Sequence, residues 1–142
     1  MKGDIFMKRT MKLIAFALVL TLSVVMLASC FGPNANPEKA VAALKENDYV
    51  AARDESGLLA ITIGIDPRDV TDVVSGTAII DKKGEHVTII YFEDADAAKA
   101  AWEKVKKYAE DEDKKETDSD WTIKQSGKMI WFGTEAAIKA TY

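Results

Sequence analysis

Few side chains in this chain could do chemistry. Cys30 is its only cysteine and His86 its only histidine. An imidazole can take a proton near neutral pH, and His86 is expected to lie across a hairpin from Asp81, a possible histidine–carboxylate contact. A hydrolytic triad would also need an activated serine, and no serine stands in a Gly-x-Ser-x-Gly turn. The pair therefore reads as an exposed cross-strand contact. The acidic run 110–120 invites a calcium reading, but an EF-hand loop needs a central glycine. Here Lys114 and Lys115 hold the middle and glycine is absent, so the run reads as a solvated linker. Glycines elsewhere are singletons that cradle no phosphate. The sequence assigns no catalytic residue, no metal ligand and no cofactor.

The chemistry with a clear setting is at Cys30. Residues 13–27 are apolar except for Thr21 and Ser23, after a cationic start at Lys8, Arg9 and Lys12. Leu27, Ala28 and Ser29 then lead directly into the cysteine. A spanning helix needs about 20 apolar residues, which this run does not reach, and no stop-transfer charge cluster follows. Alternatives are a retained single-pass anchor, or an ordinary secretory signal in which Cys30 is incidental. The Leu27-Ala28-Ser29-Cys30 motif resembles a bacterial lipobox, and only that reading gives the cysteine a use. The resemblance implies thioether attachment of diacylglycerol to Cys30, with Leu27, Ala28 and Ser29 as the signal-peptidase recognition residues and cleavage after Ser29. Two or three acyl chains, at ~0.8 kcal/mol per buried methylene, would hold the protein durably in a bilayer. The expected divisions are a signal peptide at 1–29, a lipidated cysteine and tether at 30–36, and one domain at 37–142.

Charge narrows the partners. The whole chain carries 19 basic and 23 acidic residues, a net of −4. Residues 1–29 carry Lys2, Lys8, Arg9 and Lys12 against Asp4, so the chain from Cys30 onward carries −7. Such a domain has no footprint for nucleic acid and is repelled by an anionic surface. With its one cysteine consumed by lipid, the chain can form no internal disulfide. Packing alone must stabilise it.

Local signals place the elements. Residues 31–36 read as a tether that adds nothing to a core. Asn36 suits a helix N-cap with Pro37 at the first position, and Ala40, Val41 and Leu44 give that helix an apolar stripe to about Asn47. A short strand is expected at 49–52. Over 55–65 strand and helix signals compete, and Gly64 before Ile65, a helix-ending pattern, tips the balance to helix. Strands are expected at 73–81 and 86–92 around a turn at 82–85, placing Gly76 opposite Tyr91. Asp94 caps a helix reaching about Ala109, with Lys106 and Lys107 in its last turn. A hairpin around Ser126 and Gly127 joins 121–125 to 128–132, and 135–140 form a closing helix. The order predicts an α+β domain, an antiparallel sheet of about five strands with helices packed on one face.

Alternation sorts each hairpin into two faces. Val74, Ala78, Ile80, Val87, Ile89 and Tyr91 share one face, with Ile79, Ile90 and Phe92 on the other. In the second hairpin Trp121, Ile123, Ile130 and Phe132 are core, and Met129 and Trp131 look outward. The outer set, Met129, Trp131, Ile79, Ile90 and Phe92, is the candidate interaction surface.

Tyr91-Phe92-Glu93-Asp94 before Ala97-Ala98, and Gly127-Lys128 leading to Trp131 and Gly133-Thr134-Glu135-Ala136, resemble small bacterial lipoproteins of unknown activity. The resemblance implies an extracytoplasmic module on a cell membrane, held to the lipid bilayer through acylated Cys30. The anchor, the absence of a catalytic set, and Met129 and Trp131 on the outer strand face point to a module that binds an envelope protein or peptide. The alternative is a small solute-binding protein or enzyme with a site built from scattered residues.

Overall fold

Helix starts and stops follow the capping chemistry. In the computed structural model, which describes residues 32–113 and 120–142, Asn36 accepts hydrogen bonds from the backbone N–H groups of Glu38 (2.9 Å) and Lys39 (3.4 Å). Helix α1 then runs Pro37–Glu46, and strand β1, Val50–Asp54, follows. The competing stretch resolves as helix α2, Leu58–Ile63. It ends in a Schellman arrangement: Gly64 has φ 87°, its N–H donates to Ile61 O, and Ile65 N–H donates to Ala60 O. A 3₁₀ turn, Pro67–Asp69, leads into β2, Val70–Ile80, and β3, Lys83–Phe92. Asp94 Oδ1 accepts from Ala97 N–H at 2.7 Å, opening α3, Ala95–Asp113. Strands β4, Trp121–Ser126, and β5, Met129–Thr134, precede α4, Glu135–Lys139.

The five strands form one antiparallel sheet in the order β1-β2-β3-β5-β4, the α+β architecture expected. Helices cover both faces, not one. On the first face α1 lies over β1 and β2, and α4 over β3 and β5. Ala40, Leu44, Ala137 and Ile138 pack there on Val74, Val87, Ile89, Tyr91 and Trp131. On the second face α3 lies over β3, β5 and β4. Its Ala98, Ala101, Val105 and Ala109 meet Val73, Ile90, Phe92, Ile130 and Phe132. Tyr108 adds an edge-to-face contact with Phe132, ring centres 6.5 Å apart. Consecutive residues of a strand point to opposite sides, so the unbroken buried run Ile89-Ile90-Tyr91-Phe92 feeds both cores.

Both hairpins turn elsewhere than expected. Ile80 pairs with Lys83, leaving Asp81 (φ 52°) and Lys82 (φ 65°) as a two-residue turn. His86 therefore faces Thr77 rather than Asp81, and Gly76 faces Val87 rather than Tyr91. What covers Gly76 is Leu44: a Cβ there would lie 2.8 Å from its Cδ1. In the second hairpin Ser126 pairs with Met129 around Gly127 and Lys128. Both slips are by an even number of residues, so every side chain keeps its expected face. Helix α3 also outruns its expected end. Glu110 to Asp113 are helical, and no basic residue occupies its last turn. Residues 114–119 of the acidic run lie outside the described residues.

Candidate functional site

Cys30, with Leu27, Ala28 and Ser29, lies outside the described residues. The chain is described from two residues later, and there the expectation of an idle tether fails. The Trp131 ring presses on Gly32, where a Cβ would meet Cη2 at 2.9 Å, and Pro33 is buried. Asn34 N–H donates to Thr141 O at 3.2 Å, and the Tyr91 hydroxyl donates to Asn34 O at 2.7 Å. Asn34 Oδ1 accepts from Asn36 N–H at 3.0 Å, which carries the anchoring into the α1 cap. Gly32, Pro33 and Asn34 are thus docked on the first core, while Ala35 and Asn36 stay exposed. No pattern in their types announces this; a buried hydroxyl at Tyr91 in need of an acceptor is the nearest signal.

The candidate interaction surface does not assemble. Trp131, Ile90 and Phe92 are each no more than 2 % exposed, and Met129 is half-buried against the first core. Trp131 and Met129 belong to the first face, Ile90 and Phe92 to the second. Each hairpin's leftover apolar residues complete the other hairpin's core. Only Ile79, 83 % exposed, is open to solvent.

What is open on the second face is a strip that α3 does not reach. Val50, 79 % exposed, pairs with Thr77, and Ile79 lies two residues further on the same side of β2. Ala52, Ser75 and Thr77 between them are also exposed. Strand β1 is an edge strand, so its outer backbone groups have no partner strand among the described residues. Leu58 and Ile61 of α2 add further exposed apolar surface.

On the first face a groove of about 450 Å³ opens where Ala35, Pro37, Tyr91 and Met129 meet Asp72 and Lys128. Asp72 is not free for a ligand. Its Oδ1 accepts from Arg53 Nε at 2.6 Å, and the same guanidinium reaches Glu55 (2.8 Å) and Glu38 (3.2 Å). Burial pushes the Tyr91 phenol well above its ordinary range, with the Asp72 charge adding to the effect, so it stays protonated as a donor to Asn34. Burial, then the Glu85 charge, also pushes up Tyr49. The expected pairing of His86 with Asp81 does not form: His86 faces Thr77, and its backbone N–H donates to Thr134 Oγ1 at 3.3 Å. Among the described residues no group of three His, Cys, Asp or Glu side chains could hold a metal ion. No helix among them is long and apolar enough to cross a membrane.

No family model, no curated protein and no solved structure matches this chain.

Proposed function

We propose that this chain is a membrane-anchored extracytoplasmic lipoprotein whose domain is a binding module for an envelope protein or peptide. The observation that carries the anchor is the Leu27-Ala28-Ser29-Cys30 motif directly after the apolar run. The binding role is supported by the bare strip at Val50 and Ile79 beside the free edge of β1. An extended peptide added to that edge would gain main-chain hydrogen bonds, with exposed apolar side chains beside it to set specificity.

Replacing Cys30 with serine removes the sulfur that takes the lipid. Uncleaved precursor should then accumulate, while wild type partitions into detergent and resists a high-salt wash, because acyl burial is not screened by salt. Cys30→Ser protein released as efficiently as wild type, with no detergent-phase pool in either, would sink the lipoprotein reading. For the binding role, a photo-crosslinking residue at Ile79 should give one discrete adduct in intact cells and the same residue at Ala100 none. Equal labelling at both sites would count against it.

The groove at Tyr91 and Met129 favours the second reading, a small solute-binding protein or enzyme. Against that, its phenol and its carboxylate are both committed to partners within the chain.

A further inference from the structure

The anchoring of residues 32–36 has a consequence for how the domain meets a lipid surface. A free seven-residue tether from Cys30 would let the domain wander roughly 14 Å from its anchor and turn in any direction. Here the first immobilised residue is Gly32, held under the Trp131 ring, with Pro33 buried and Asn34 bonded through both N–H and carbonyl. Only Phe31 separates Gly32 from Cys30, so their Cα atoms can be no more than about 7 Å apart. The groups that grip this segment, Trp131, Tyr91 and Thr141, lie in the layer that also holds α1 and α4.

Charge makes the same layer the compatible one. Helices α1 and α4 together carry Glu38, Glu46 and Glu135 against Lys39, Lys45 and Lys139, a net of zero. The −7 of the chain from Cys30 onward therefore lies entirely outside them. An anionic bilayer repels the rest of the domain more strongly than these two helices.

We infer that the face carrying α1 and α4 lies against the lipid surface, leaving α3 and the bare β1–β2 strip pointing away from it. The inference rests on acylation of Cys30, as proposed above. The partner surface is the bilayer itself, and the seating is imposed by the one-residue spacer.

The test uses the full-length lipidated protein with one added cysteine for a donor dye, at Ala42 or Ala136 on the inner layer and at Ala100 or Thr77 on the outer side. Each is reconstituted in vesicles of phosphatidylethanolamine and phosphatidylglycerol carrying a headgroup-attached acceptor dye. Energy transfer from Ala42 and Ala136 should exceed that from Ala100 and Thr77 by at least about two-fold, since roughly 20 Å of packed layers separates them. Equal transfer from all four sites in protein that floats with the vesicles overturns the seating and leaves the anchor standing. Protein that does not float at all overturns the acylation, and the seating with it. A ten-residue Gly/Ser insertion between Phe31 and Gly32, with an r.m.s. span of roughly 17 Å, should keep flotation and abolish the asymmetry. Asymmetry that survives the insertion refutes the spacer as its cause.

Discussion

The two faces of the sheet are built from the same strands, yet one is closed and the other is not. On the first face two short helices divide the work, α1 over β1 and β2, α4 over β3 and β5, with Gly32, Pro33 and Asn34 filling in against Trp131 and Tyr91. On the second face the 19-residue α3 takes β3, β5 and β4 and reaches β2 only at Val73, leaving β1 and the Ser75–Ile79 part of β2 bare. Length does not decide coverage. A single helix is about 10 Å across with its side chains and shields two or three strands spaced ~4.8 Å apart, so five strands need two covers. The second face has one long cover and the six-residue α2, tied to α3 by Lys104 Nζ donating to Gly64 O at 2.8 Å. The part left bare is where a binding role fits.

The largest effects should come from breaking either core at its centre. Trp131 and Phe92 are each about 2 % exposed, one in each core. Trp131→Ala and Phe92→Ala should each cost about 3–5 kcal/mol in urea unfolding, the range for large aromatic truncations. Against a typical total of about 5–15 kcal/mol, either is severe. A loss under 1 kcal/mol for Trp131→Ala would mean that the first face is less closed than its packing indicates, and would restore that side chain to the candidate surface.

Much of this was legible in the residues, and the part that was not has a physical reason. Caps and stops were readable because their chemistry is local: Asn36 before Pro37, Asp94, Gly64 before Ile65. Hairpin faces were readable too, since a slip of two or four residues changes partners without changing sides. The turns were not, because Asp81 and Lys82 adopt positive φ with no glycine between them, while Gly84 two residues on offers the more usual signal. The molecule departs from expectation mainly in having two cores rather than one. Ile89 to Phe92 and Ile130 to Phe132 are continuous apolar runs, the pattern of strands buried on both sides, and read that way they announce two covers. Candidate residues chosen as the outer face of one hairpin were thus the inner face of the other. The docking of Gly32 to Asn34 depends on partners more than 50 residues away and leaves no local pattern at all.

A medium effect should separate contact with a cover from mere position in a strand. At Gly76 a new Cβ would fall 2.8 Å from Leu44 Cδ1, forcing α1 or its leucine outward. Gly76→Ala should cost about 1–3 kcal/mol, and much less in a Leu44→Ala background, where the obstruction is gone. Gly84→Ala, with nothing within 4 Å of the new Cβ, is the control. A Gly76→Ala cost unchanged by Leu44→Ala would show that the strain lies in β2 itself.

A smaller, pH-dependent effect belongs to the rim of the second face. The Arg68 guanidinium, donating to both carboxylate oxygens of Asp66, lowers that carboxyl from its ordinary 3.8 to about 2. A lowered folded-state value stabilises above the ordinary carboxyl range and is lost as pH falls from about 4 towards 2. The pair is solvent-exposed, Arg68 by 88 %, so salt should weaken it. An NMR titration should give Asp66 a midpoint near 2, and Arg68→Ala should raise it towards 3.8. A midpoint that Arg68→Ala leaves unmoved would assign the shift to the backbone N–H of Arg68 instead.

The smallest effect should be the most telling about the open strip. Ile79 and Ile90 are the same residue type, on adjacent strands of one sheet and on the same side of it. Ile90 is 1 % exposed beneath α3, whereas Ile79 is 83 % exposed beyond its reach. Ile79→Ser removes apolar surface that folding never took from water, so unfolding free energy should change by no more than about 0.5 kcal/mol. Ile90→Ser strips a buried side chain and leaves a hydroxyl in the core, and should cost several-fold more. If Ile79→Ser is instead as costly as Ile90→Ser, something covers the strip in solution, and the second face is closed after all. If it is neutral for folding yet abolishes the adduct of a photo-crosslinking residue placed instead at Val50 on β1, the residue is kept apolar for its partner and not for the fold.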